Sequence, residues 1–123
     1  MLPVTTTTTV KPRYITKQTI EQLTGNEKDI KNITRIDLTP RWQNEKFQTI
    51  ENLHPFIHLQ TLILSNNEFS DLRGLSELKN LRTLIADDNK ITNMSGISQL
   101  KNLRTLSLNN NLIERLPDIW KPL

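Results

Sequence analysis

A chain of 123 residues with 35% hydrophobic and only 5% aromatic side chains has material for one modest core and no room for two domains. Sixteen Lys and Arg against thirteen Asp and Glu leave a formal net charge of +3, too small a surplus to read as nucleic-acid wrapping. The absence of cysteine excludes disulfide frameworks, thiolate metal centres and cysteine nucleophiles, and fits a reducing compartment such as the cytoplasm.

In chain order, residues 1–12, MLPVTTTTTVKP, lack the apolar centre of a signal peptide and have little to bury, so a disordered Thr-rich tail is expected. No later stretch reaches the ~20 apolar residues of a membrane span. Residues 13–32 are expected to form a helical cap. Thr16 can cap KQTIEQLT, Gly25 can end it, and Asn26 can open a second turn through NEKDIKNI. Ile20, Leu23, Ile30 and Ile33 then supply an apolar face to shield the first strand, as the end of a stacked array requires.

Residues 33–123 carry a repeat, clearest in three gapless copies: LQTLILSNNEFSDLRGLSELKN from Leu59, LRTLIADDNKITNMSGISQLKN from Leu81 and LRTLSLNNNLIERLPDIWKPL from Leu103. The copies begin 22 residues apart. Apolar positions recur as Leu62/Leu84/Leu106, Leu64/Ala86/Leu108 and Phe69/Ile91/Ile113, with Asn67/Asn89/Asn111 at one polar position. A return leg follows with Leu72/Met94/Leu116, Leu75/Ile97/Ile119 and Leu78/Leu100, a three-residue spacing that predicts short helical or extended turns. An irregular first repeat precedes them. Ile33, Ile36 and Leu38 match its strand and Phe47, Ile50, Leu53 and Phe56 its return leg, with extra residues in TPRWQNEK expected to project as a lip. The last repeat runs out at Leu123, with Pro117 and Pro122 in its return leg. Trp120 can fold over the open end as a lid, or the chain can be the first part of something longer.

This register resembles the L-x-x-L-x-L-x-x-N-x-L signature of leucine-rich repeats. The resemblance implies an α/β solenoid: a short curved parallel sheet on the concave side, turns on the convex side. Two leucines of each L-x-L point inward and the residues between them face solvent. Asn67, Asn89 and Asn111 are expected to form a buried ladder satisfying loop backbone groups, with more than one group orphaned by removal of any of them.

The chemistry of an enzyme is missing from the pattern. Three glycines make no phosphate cradle, and Gly74 and Gly96, 22 apart, read as repeat turns. His54 and His58 have a helical metal-ligand spacing but no third ligand. Asp87 and Asp88 follow a strand in solvent-facing slots. No catalytic residue, cofactor or metal is expected.

Binding is the better reading, because the concave rows are free to meet a partner. By register they hold Arg35, Asp37 and Thr39; Thr61, Ile63 and Ser65; Thr83, Ile85 and Asp87; and Thr105, Ser107 and Asn109. The Thr row favours strand formation. Ile63 and Ile85 either mark a contact site or simply suit a strand. Trp42 in the lip is either an aromatic anchor for a partner or a cover for the first repeat. Asp88 adds to the acidic end of the face, and two KNLR motifs, Lys79–Arg82 and Lys101–Arg104, stack basic groups at the other. The expected partner is another protein, held by the concave face and the lip, rather than nucleic acid or a membrane. The chain itself is expected to be a monomer. Four strands at ~4.8 Å span only about 20 Å, so the edges must contribute to a standard interface of ~800 Å² per partner.

The 22-residue pattern is similar to intracellular leucine-rich repeats of the nuclear regulator of protein phosphatase 1, the U2 spliceosomal A-prime protein and ciliary proteins. RYITKQTIEQLT (Arg13–Thr24) and FQTIENL (Phe47–Leu53), with the long first repeat, resemble the N-terminal region of the centriolin family, without the coiled coil that follows there. The resemblance implies a non-catalytic scaffold of a centrosomal, ciliary or other cytoskeletal assembly. The alternatives are the N-terminal segment of a longer repeat protein, or a ribonucleoprotein or phosphatase-regulatory adaptor.

Overall fold

The computed structural model describes residues 15–16, 18–19, 30–40 and 45–114. Within them four three-residue strands form, each made of the first two residues of an L-x-L-type triplet and the residue before it: β1 (Arg35–Asp37), β2 (Thr61–Ile63), β3 (Thr83–Ile85) and β4 (Thr105–Ser107). They pair in parallel in the order β1-β2-β3-β4. Register follows the sequence alignment, Ile36 opposite Leu62, Leu62 opposite Leu84 and Leu84 opposite Leu106. The sheet is open, and each strand returns to the next through its own convex leg.

Why these residues settle there follows from burial. The inward leucines, with Phe47, Phe56 and Phe69 from the legs, make one continuous core from Ile15 to Leu100, and burying such side chains stabilises by roughly 1.5–3 kcal/mol each. Leu103, Leu106, Leu108 and Ile113 are only half-buried against it, because no further described repeat covers them.

The convex legs are turns and, at Arg73–Leu75, a 3₁₀ helix. Apolar residues every third position, Phe69, Leu72, Leu75 and Leu78, match the threefold repeat of that geometry, all four being buried. Asp71 opens the 3₁₀ turn by accepting the Arg73 N–H at 3.1 Å, and Asn93 does the same for Ser95 one repeat later. Successive legs pack so tightly that a Cβ on Gly96 would come within 2.6 Å of the Leu72 carbonyl oxygen, and Gly96 also holds φ +99°.

At the N-terminal end Thr16 Oγ1 accepts the Thr19 N–H at 3.1 Å, the capping role expected of it, and Ile15 is fully buried. The Asn52 carboxamide donates to the Ile15 carbonyl and ties this segment to the first return leg. Ile30 corrects the expected shielding face: it stands 38% exposed, while Ile33 alone of the described pair is buried. Ile30 falls on a short 3₁₀ turn, Ile30–Asn32, that buries none of its residues and ends before Ile33, so the two isoleucines do not share one helical face. Ile20, Leu23, Gly25, Asn26, Trp42, Leu116, Pro117, Ile119, Trp120 and Pro122 lie outside the described residues, as does the whole Thr-rich tail, residues 1–12.

Candidate protein-binding face

The parallel register stacks the outward residues of each strand into rows. One runs Arg35, Thr61, Thr83, Thr105 and the next Asp37, Ile63, Ile85, Ser107. Thr61 and Thr83 are half-buried and Thr105 exposed. Ile63 and Ile85 are direct neighbours across the sheet, and they are half-buried rather than open to solvent. The flanking rows and each other cover part of them, which leaves a low aliphatic saddle instead of two protruding side chains.

Beyond the strands the concave residues serve the solenoid itself. Asp87, expected to be a free solvent-facing acid, is half-buried. Its Oδ1 accepts the Ser107 hydroxyl at 2.6 Å and the Asn109 N–H at 2.8 Å. Asn109 in turn donates from Nδ2 to Ser107 Oγ at 3.3 Å. This is the physical reason those three are poorly disposed to a partner: their polar groups already join β3's exit to β4's. Asp88 is exposed with φ +59° and accepts from Asn110 at 2.9 Å. Asp37 accepts the Thr39 N–H at 2.9 Å and faces Arg35 across 3.9 Å. Thr39 is exposed and Ser65 half-buried. Trp42 lies outside the described residues.

The asparagine positions behave as a set of brackets. Asn89 Oδ1 accepts the Phe69 N–H at 3.1 Å, and its Nδ2 donates to the carbonyls of Leu64, Ala86 and Asp87 at 2.9, 3.1 and 3.1 Å. Asn67 repeats this toward the Phe47 N–H and the Leu38, Leu64 and Ser65 carbonyls. Asn111 does so toward the Ile91 N–H and the Ala86, Leu108 and Asn109 carbonyls. Asn67 and Asn89 are buried, at 2% and 6% exposure. Asn111 departs from the expected buried ladder and is half-buried, because it belongs to the last described repeat.

Two features escaped the sequence reading. Asn80 and Asn102, inside the KNLR motifs, donate to the Ile57 carbonyl at 2.7 Å and the Lys79 carbonyl at 2.9 Å, a second series of inter-repeat bonds at the strand-entry edge. Asn66, Asp88 and Asn110 all take positive φ, +62°, +59° and +58°, just before each bracket asparagine. The signal was present as an Asn or Asp at that position in every copy, residue types that tolerate the left-handed region.

Charge divides the face. At the entry edge Lys79, Arg82, Lys101 and Arg104 are exposed, and none makes an ion pair with a described residue. Elsewhere Glu68 pairs with Lys90 at 3.4 Å, and its carboxyl is held below the usual range, first by the hydrogen bond from Gln48 and then by Lys90. On the convex side, a depression of about 450 Å³ between the first two legs is lined by Ile50, Ser70 and Gly74 and by Asp71 and Arg73, which close on each other at 3.2 Å. His54 and His58 are both exposed. No cluster of three metal-ligating side chains occurs among the described residues, nor any helix long and apolar enough to cross a membrane.

Comparison with known proteins agrees with this geometry. The family model "Leucine Rich repeats (2 copies)" matches residues 57–98 and 79–119, together more than half of the chain. The chain is similar to the crystal structure of an internalin of Listeria monocytogenes, with 31% identity and a TM-score of 0.61 over 73% of this chain and 24% of that one. It is also similar to a leucine-rich repeat protein of Leptospira interrogans, with 28% identity and a TM-score of 0.53 over 71% of this chain and 28% of that one. The chain thus spans about a quarter of the length of each. No curated protein matches it.

Proposed function

The chain belongs to the leucine-rich repeat family, and from that premise we propose that it is a non-catalytic module that binds another protein across its concave face. The observation that carries this reading is the aliphatic saddle. Ile63 and Ile85 adjoin on a surface where every neighbouring position is a hydroxyl, an amide or a charge, and adjoining apolar side chains ringed by polar ones are the usual centre of a contact. Thr61, Thr83 and Thr105 flank it, and Arg35 and Asp37 border its first strand. Trp42 in the first-repeat lip is proposed as an additional anchor.

The setting we favour is a centrosomal, ciliary or other cytoskeletal assembly in the cytoplasm. Its support is the resemblance of Arg13–Thr24 and Phe47–Leu53 to the centriolin family. A second reading, that the chain is one segment of a longer solenoid, is favoured by the half-buried Leu103, Leu106 and Leu108 at β4 and by the short span of the structural relatives it covers.

The test is affinity capture from cell extract with the wild-type chain and with Ile63→Glu/Ile85→Glu, after circular dichroism shows that both are folded. A partner lost only from the double variant supports the concave site, and its identity separates cytoskeletal from ribonucleoprotein or phosphatase roles. Equal capture by both proteins removes the concave site from consideration.

A further inference from the structure

We propose that the partner segment is acidic: Arg82 and Arg104 at the strand-entry edge receive its carboxylates while an apolar side chain of the same segment settles on Ile63 and Ile85. This rests on the concave-face reading above and adds the partner's chemistry to it.

The two arginines occupy the same position in successive repeats, immediately before β3 and β4, and each N–H bonds the preceding repeat, Arg82 to the Gln60 carbonyl and Arg104 to the Arg82 carbonyl, both at 2.8 Å. Backbone pairing therefore fixes them one strand spacing apart, ~4.8 Å. Their side chains are exposed and make no hydrogen bond or ion pair with a described residue. Lys101 is likewise unpaired, and Lys79 reaches only the neutral Gln99 at 3.4 Å. Like charges stacked in register repel, so the free chain holds an uncompensated cationic edge that an anion relieves.

The acids at the opposite end are differently placed. Asp87 is engaged by Ser107 and Asn109, and Asp88 by Asn110. The face thus offers unengaged cations at one end, whereas the carboxylates at the other keep their charge but already accept hydrogen bonds from neutral groups of the next repeat. Ile85 lies three positions along the chain from Arg82, about 10 Å at ~3.3 Å per residue. An extended peptide presents both groups on one face when the carboxylate lies two or four residues from its apolar anchor, about 7 or 13 Å away, a range the long arginine side chains span. An RNA strand fits less well, since bases need aromatic platforms and Phe47, Phe56 and Phe69, the aromatic side chains among the described residues, are all buried.

The experiment is a random-peptide display selection against the wild-type chain, Arg82→Glu/Arg104→Glu and Ile63→Ser/Ile85→Ser, each shown folded by circular dichroism, with an oligouridine probe assayed in parallel. Wild type is expected to enrich peptides with an acidic residue two or four positions from an apolar one. Charge reversal is expected to weaken those peptides by about tenfold or more and to turn the selection neutral or basic. Peptides that need Ile63 and Ile85 but show no acidic bias overturn this inference and leave the concave face standing. Peptides indifferent to both pairs, or no enrichment over an unrelated protein, overturn both. Oligouridine binding lost on charge reversal, with no acidic peptides enriched, overturns it in favour of RNA.

Discussion

Replacing Asn89 by alanine isolates what one bracket side chain contributes. Four bonds disappear, but not all of their partners are left alone. The Leu64 carbonyl keeps Asn67, the Ala86 carbonyl keeps Asn111, and the Asp87 carbonyl keeps the Asn66 N–H. The Phe69 N–H is the group for which Asn89 is the partner, and Phe69 is fully buried. An orphaned buried N–H costs ~1–3 kcal/mol, and the weakened carbonyls add a fraction more, giving about 2–3 kcal/mol for Asn89→Ala. Urea denaturation followed by circular dichroism reads this as a lower midpoint at unchanged slope. Asn111→Ala removes the same pattern from a half-buried site where water can substitute, so about 1 kcal/mol is expected. Asn89→Asp retains the acceptor for Phe69 but sets a carboxylate against three carbonyl oxygens, and should be at least as damaging as alanine. An unchanged midpoint for Asn89→Ala, or equal losses at Asn89 and Asn111, refutes the assignment.

Gly96→Ala is expected to cost more than ~2 kcal/mol, because it combines a positive φ with a Cβ driven toward the Leu72 carbonyl; a thermal melt reads it directly. Asn80→Ala and Asn102→Ala each remove one exposed inter-repeat bond and should lower stability by about 0.5–1 kcal/mol, again by urea midpoint. Glu68 has a lowered folded-state pKa, so its contribution is present above the ordinary carboxyl value of 4.5 and is lost as pH falls through the lowered one. Wild type should therefore lose slightly more stability than Glu68→Gln on acidification through that range, measured as paired denaturation curves.

The strand register was legible because spacing alone dictates it: leucines at fixed offsets place Ile36, Leu62, Leu84 and Leu106 in one inward row. The bracket asparagines were legible for the same reason. What the pattern concealed was division of labour among polar residues. In KNLR the charges drew attention, while Asn80 and Asn102 make the contact between repeats. Asp87 looked like a free acid because sequence shows the slot, and not that Ser107 and the Asn109 N–H converge on it. Ile30 looks like core by its three-residue spacing from Ile33, but that spacing does not show that the turn carrying Ile30 lies wholly on the surface and ends before Ile33. The overestimate of groups orphaned at Asn89 has a similar origin, since carbonyls with two lone pairs can be served by two repeats at once.

That sharing bears on how the array opens. The Leu64 carbonyl is held by Asn67 and Asn89, and the Ala86 carbonyl by Asn89 and Asn111, so each turn of the solenoid is latched to both of its neighbours through the same atoms. A single turn that swings out breaks bonds in the turns on either side, which makes isolated local opening costly and couples adjacent turns into one cooperative unit. The Phe69 and Ile91 amides, bonded to Asn89 and Asn111, should therefore exchange with solvent deuterium through one common opening rather than in sequence from the C-terminal end.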